Sequence, residues 1–125
     1  MALLLSMLSF SHNTSNKFSY DEDLSFRYQV ISQQKAINYV SEIAKPTDTI
    51  AADFPAYYGF EFLESGYLPN PNQKICFGLS SKVSYNYYVF ASTGENDYLM
   101  PSDTSLHLIK SFKVAFCEGR VYERK

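Results

Sequence analysis

Between Leu24 and Ala44, apolar residues recur at Val30, Ile37, Val40 and Ala44, with Ile31, Tyr39 and Ile43 beside them. Spacings of three and four place these positions on one stripe of a helix. Asp21-Glu22-Asp23 ahead of the stripe suits the positive end of a helix dipole. Lys45-Pro46 closes the stripe with a cation at the negative end and a ring that disfavours continuation. The pattern then becomes β-like. Thr49 to Phe54 is a short, nearly continuous apolar run stopped by Pro55, as expected of a strand covered on both faces. Ala56 to Leu68 reads as a short helix ending at Gly66, and Pro69 to Asn72 as a turn. Lys74 to Leu79 and Val83 to Ala91 read as two further strands, the second with Val83, Tyr85, Tyr87 and Val89 on one face. After a loop over Ser92 to Asp97, Leu106, Ile109 and Lys110 fall at helical spacing within Ser105 to Phe112. Val114 to Arg124 carries Glu118-Gly119 between two β-prone runs, a hairpin signature.

This order predicts an α/β fold: a three-layer-like mixed sheet of about five strands with helices on its faces and a C-terminal β-hairpin. Residues 1–19 form an apolar segment and linker, and 20–125 a single α/β domain. The segment MALLLSMLSF is uncharged and too short to span a bilayer. It reads as a weak signal peptide, as the remnant of a membrane helix, or as an ordinary hydrophobic stretch. Asn13-Thr14-Ser15 fits the short N-glycosylation pattern.

Charge narrows the function classes. Thirteen acidic side chains face eleven basic ones, a net charge of −2. No nucleic-acid partner is expected, since displacing counterions from phosphates requires a basic surface. The overall balance also argues against strong attraction to anionic head groups. Cys76 and Cys117 read as two buried thiols, with a bridge open only in an oxidising compartment.

No P-loop, dinucleotide glycine turn, nucleophile elbow or C-x-x-C is present, and no cofactor or metal site is expected. His12 and His107 lie far apart in sequence and suggest no catalytic pair. Asp21-Glu22-Asp23 has carboxylates spaced to share a divalent cation, but acids at a helix start are favoured by the dipole alone. Asp53 ends the first strand, at the edge where open α/β sheets bind ligands; it serves equally as a loop carboxylate satisfying backbone N–H groups. Tyr57, Tyr58 and Tyr67 cluster in sequence near the same edge, as core packing or as flat faces for sugar rings and partner proteins.

Several stretches resemble the C-terminal, membrane-distal domain of polytopic lipid-phosphosugar-dependent glycosyltransferases, the group of protein O-mannosyltransferases and lipid A aminoarabinose transferases. They are Gln34 to Ile43, Asp48 to Pro55, Glu64 to Leu68, Tyr87 to Thr93, and Phe112 with Arg120 to Arg124, within a similarity covering about four fifths of the chain. The resemblance implies an extracytoplasmic, membrane-associated domain, with MALLLSMLSF as the remnant of the preceding helix. In that family the catalytic aspartates lie in the first extracytoplasmic loop and the donor binds among membrane helices. Neither part matches here, so no catalytic residue carries over. The expected function is non-catalytic, with a glycan or lipid-linked sugar acceptor, or a membrane protein, as partner. A secreted interaction protein presenting tyrosines, and a small enzyme centred on Asp53, are the alternatives.

Overall fold

The computed structural model describes residues 26–61, 72–78, 83–93, 97–100 and 102–125. Its elements are α1 (Phe26–Ile43), β1 (Thr49–Ala52), α2 (Ala56–Glu61), β2 (Lys74–Phe77), β3 (Tyr87–Ser92), a 3-10 turn (Asp97–Leu99), β4 (Leu106–Val114) and β5 (Cys117–Arg124). They form an α/β fold built on one five-stranded mixed sheet in the order β2-β1-β3-β5-β4. β1 runs parallel to both β2 and β3, and β5 runs antiparallel to β3 and β4.

The α1 stripe folds as its spacing dictates. Ala36, Ile37, Val40 and Ala44 pack with Ile50 and Ala52 of β1, Val89 of β3 and Val121 of β5. Ala56 and Phe60 of α2 join the same cluster. The other sheet face carries a second cluster of Ala51, Tyr85, Tyr88 and Phe90. β1 therefore has apolar cover on both sides, and Ile50, Ala51 and Ala52 are all fully buried. At the α1 end, the turn is fixed by Lys45 N–H donating to Asp48 Oδ2 at 2.8 Å and Asp48 N–H to the Lys45 carbonyl at 2.9 Å.

α1 lies very close to β5. A Cβ built on Gly119 would stand 2.2 Å from the Ser32 carbonyl oxygen and 2.9 Å from Ala36 Cβ. Only a residue without a side chain lets the helix backbone rest there.

The sheet departs from the sequence reading in three places. Ser105 to Phe112 is no helix: β4 pairs with β5 from Leu106 to Val114. The register shifts between Leu108 and Lys110, leaving Ile109 as an extra residue. The bulge breaks the period of two: Leu106 packs in the second cluster, while Ile109 and Phe112, three apart, both pack on the helix side, a spacing that imitates a helical stripe. Glu118-Gly119 is likewise not the hairpin turn. The connection is Ala115-Phe116, with Ala115 at φ 53°, and Gly119 sits within β5 because α1 needs the space. Tyr85 lies before β3 and packs in the second cluster, whereas Tyr87 and Val89 face the helices, so the inferred single face begins only at Tyr87. The inferred helix beyond Glu61, the charged start at Asp21 to Asp23 and the apolar N-terminus lie outside the described residues.

One core side chain is costly. Gln29 of α1 is buried, and among the described residues neither its amide nitrogen nor its oxygen has a hydrogen-bond partner. Gln29→Met keeps the length and removes both polar atoms. It is expected to raise unfolding stability by about 1–2 kcal/mol in urea titration, the cost of an orphaned buried group. Unchanged or lower stability would mean that the amide is satisfied in solution.

Candidate functional site

β1, β2 and β3 are parallel, so their carboxyl ends meet at one edge of the sheet. β1 ends at Ala52, and the chain turns through Asp53-Phe54-Pro55, with a cis Phe54–Pro55 bond, into α2. Gly78 N–H continues the β1–β2 ladder by one bond, donating to the Ala52 carbonyl at 2.9 Å.

Asp53 sits in this corner. The Tyr88 hydroxyl donates to its Oδ2 at 2.6 Å, while the Asp53 main-chain carbonyl accepts from Tyr57 N–H at 2.9 Å. The carboxylate thus shares its turn with the first residues of α2. Gly78 adopts φ +68°, and a Cβ there would come within 3.2 Å of Asp53 Oδ1. The glycine leaves that oxygen room.

Four rings follow one another along the same edge. Phe54 meets Tyr58 at 6.0 Å between centroids, Tyr58 meets Tyr57 at 5.7 Å, and Tyr57 meets Phe77 at 5.0 Å, all edge to face. That is the favoured geometry for aromatic pairs, since positive ring edges meet negative faces. Tyr57 is the anchor, partly buried against the helix-side core. The other three rings face solvent, Phe54 at 61 %, Tyr58 at 45 % and Phe77 at 58 %. Three such exposures in one continuous row exceed what scattered surface aromatics require. The rings lie toward the helix side of the strand ends and Asp53 toward the Tyr88 side.

The acid–base character of the corner is passive. Burial first, and then the hydrogen bond and charge of Asp53, push the Tyr88 hydroxyl far above the usual phenol range. Cys76, beside Ala51 on β1, is also raised, chiefly by burial and then by the Asp53 charge, so it stays a thiol rather than a thiolate. Tyr57 is raised by burial and then by Glu61 one helical turn on. His107 is exposed on β4 opposite Glu123, at the other end of the sheet. Cys76 and Cys117 form no disulfide: β2 and β5 are three strand spacings apart, about 14 Å.

A second polar group lies beyond the Tyr88 cluster. Arg120 of β5 donates from Nε to Glu118 Oε2 at 2.8 Å and from its terminal nitrogens to both Asp97 oxygens at 3.2 Å. The Ser92 hydroxyl also reaches Asp97, and the Ser111 hydroxyl Glu118. These groups satisfy one another and fasten the 3-10 turn to the sheet.

Of the residues singled out in the sequence, Asp53, Tyr57 and Tyr58 meet at this edge, while Tyr67 lies outside the described residues. Tyr87 is partly buried and Tyr85 buried, so neither belongs to the exposed row. Phe54, Phe77 and Tyr88 were missed. Phe54 stands inside the run Asp-Phe-Pro-Ala-Tyr-Tyr and could have been marked by its neighbours; Phe77 and Tyr88 arrive only through strand register. Among the described residues, no three His, Cys, Asp or Glu side chains are grouped to hold a metal ion, and no helix is long and apolar enough to cross a membrane. Compared with family models, curated proteins and solved structures, the chain matches none.

Proposed function

We propose that the chain is a non-catalytic carbohydrate-binding domain of the extracytoplasmic glycosyltransferase type, with its site at the carboxyl edge of β1 and β2. The observation that carries the reading is the row of exposed rings on the same turn as a carboxylate. Ring faces carry negative charge and attract the electropositive C–H face of a pyranose. Asp53 has several acceptor positions, of which Tyr88 uses one, leaving others for sugar hydroxyls. Apolar and aromatic surface with a few placed polar groups is a common way to orient a small ligand. The protonated Cys76 and Tyr88 support binding without chemistry.

The test is titration of the isotope-labelled chain with mannose- and aminoarabinose-containing oligosaccharides, followed by NMR. Shifts are expected at Phe54, Asp53, Tyr58 and Phe77. The double variant Tyr58→Ala, Phe77→Ala should weaken binding at least tenfold, since each stacked ring contributes on the order of 1 kcal/mol. Neither change reaches the core, so the fold should persist. No response to any of these sugars, or turnover of a lipid-linked sugar by the chain alone, would overturn the proposal.

A further inference from the structure

A different surface carries an inference of its own. On α1, Tyr28, Ile31, Lys35 and Tyr39 follow at spacings of three and four and so share one flank. The contacts at both ends show what that flank adjoins. Tyr28 meets Phe116, in the β4–β5 turn, edge to face at 6.2 Å. Tyr39 meets Phe112 of β4 at 5.7 Å. Cations lie over these rings: the Arg27 guanidinium is 4.8 Å from the Tyr28 centroid, and Lys110 Nζ is 5.9 Å and 5.8 Å from those of Tyr39 and Phe112. Lys35 is exposed between the two ring pairs. The apolar members also reach solvent, Phe116 being 44 % exposed and Ile31 40 %. Glu42, one turn past Tyr39, is the acidic residue at the far end of α1.

We infer that this α1–β4 flank docks on an anionic phospholipid surface. Aromatic rings with polar or cationic companions settle at the head-group level, where apolar bodies and charges are both accommodated. Long cationic side chains keep their charge toward phosphates while their stems cover apolar surface. Arg27, Lys35 and Lys110 make this stripe cationic although the chain as a whole is net acidic, at −2. Each cation near an anionic bilayer adds to attraction, and one weak hydrophobic contact combined with a basic patch suffices where either alone does not. The sequence also carries the uncharged MALLLSMLSF, a second weak membrane signal. This surface shares no residue with the sugar site, so the two readings fail separately.

Flotation of the full chain with vesicles tests it. Binding is expected to phosphatidylcholine vesicles containing phosphatidylglycerol, and to weaken as salt is raised. The triple variant Arg27→Gln, Lys35→Gln, Lys110→Gln should partition roughly a hundredfold more weakly into the anionic vesicles. Phe116→Ser should weaken binding to them by about tenfold without altering the circular dichroism spectrum. Leu3→Ser with Leu4→Ser reports the N-terminal segment separately, and residual salt-sensitive binding of that variant is the stripe's own. Absence of vesicle binding, binding indifferent to lipid charge, or an unaffected triple variant would each overturn the inference.

Discussion

Gly119→Ala is expected to lower unfolding stability by about 3 kcal/mol and the melting temperature by roughly 10 °C. The added methyl group would stand 2.2 Å from the Ser32 carbonyl oxygen and 2.8 Å from its carbon, where no real Cβ is tolerated. The obstacle is helix backbone, not the end of a flexible side chain. Relief therefore requires moving α1 away from β5, which opens gaps around Ala36, Ile37 and Val121. Packing lost over a whole helix face cannot be recovered by a rotamer change. Urea denaturation read by circular dichroism gives the number. A neutral Gly119→Ala would show that α1 does not lie on β5 at this distance, and the helix–sheet register described above would be wrong.

Arg120→Met should cost about 2 kcal/mol at near-neutral pH, and the loss should shrink under acid. Arg120 holds two carboxylates, of which Glu118 is 14 % exposed and Asp97 43 %. Most of the effect belongs to Glu118, since solvent screens the Asp97 pair. Burial alone would raise Glu118, but the Ser111 hydroxyl and the Arg120 charge hold it below its ordinary 4.5. Asp97 is held below 3.8 by the Ser92 hydroxyl and then by Arg120, against some opposing burial. A depressed carboxylate stabilises the fold fully above its unfolded value and loses that contribution as pH falls through the folded one. The native chain should therefore lose stability below about pH 4.5, while Arg120→Met, which lacks the partner, should lose less over the same range. Denaturation of both proteins from neutral pH down to about pH 3 tests the sign. Parallel curves would mean that the network does not form in solution.

How far these features were legible varies from residue to residue. The α1 stripe was readable because Ile37, Val40 and Ala44 bury one face against one sheet, and a helix imposes its period on such residues. β1 was readable for the opposite reason: buried on both faces, it needs an unbroken apolar run. Asp53, Tyr57 and Tyr58 could be proposed from proximity in sequence and from the general rule about strand ends. Phe77 and Tyr88 could not, because each reaches the edge through pairing with β1, and register is a long-range property. β4 was misread as helical since the bulge at Ile109 spoils the alternation on which a strand is recognised. Gly119 reads as a turn residue because a glycine in sequence does not say whether it frees a torsion or clears space for a neighbour.

Local period and apolar content act within a few residues, so the order of amino acids alone settles which segments can form elements and which side chains seek the interior. It also sets the net charge and the lack of known catalytic motifs. The tertiary structure alone decided what stands beside what: Phe54, Tyr58, Tyr57 and Phe77 in one row, Tyr88 on Asp53, Arg120 between two acids, and a cationic aromatic flank on an acidic chain. Such juxtapositions depend on strand order, register and the distance between α1 and β5. Those are fixed by packing among residues far apart in the chain, which no local pattern records.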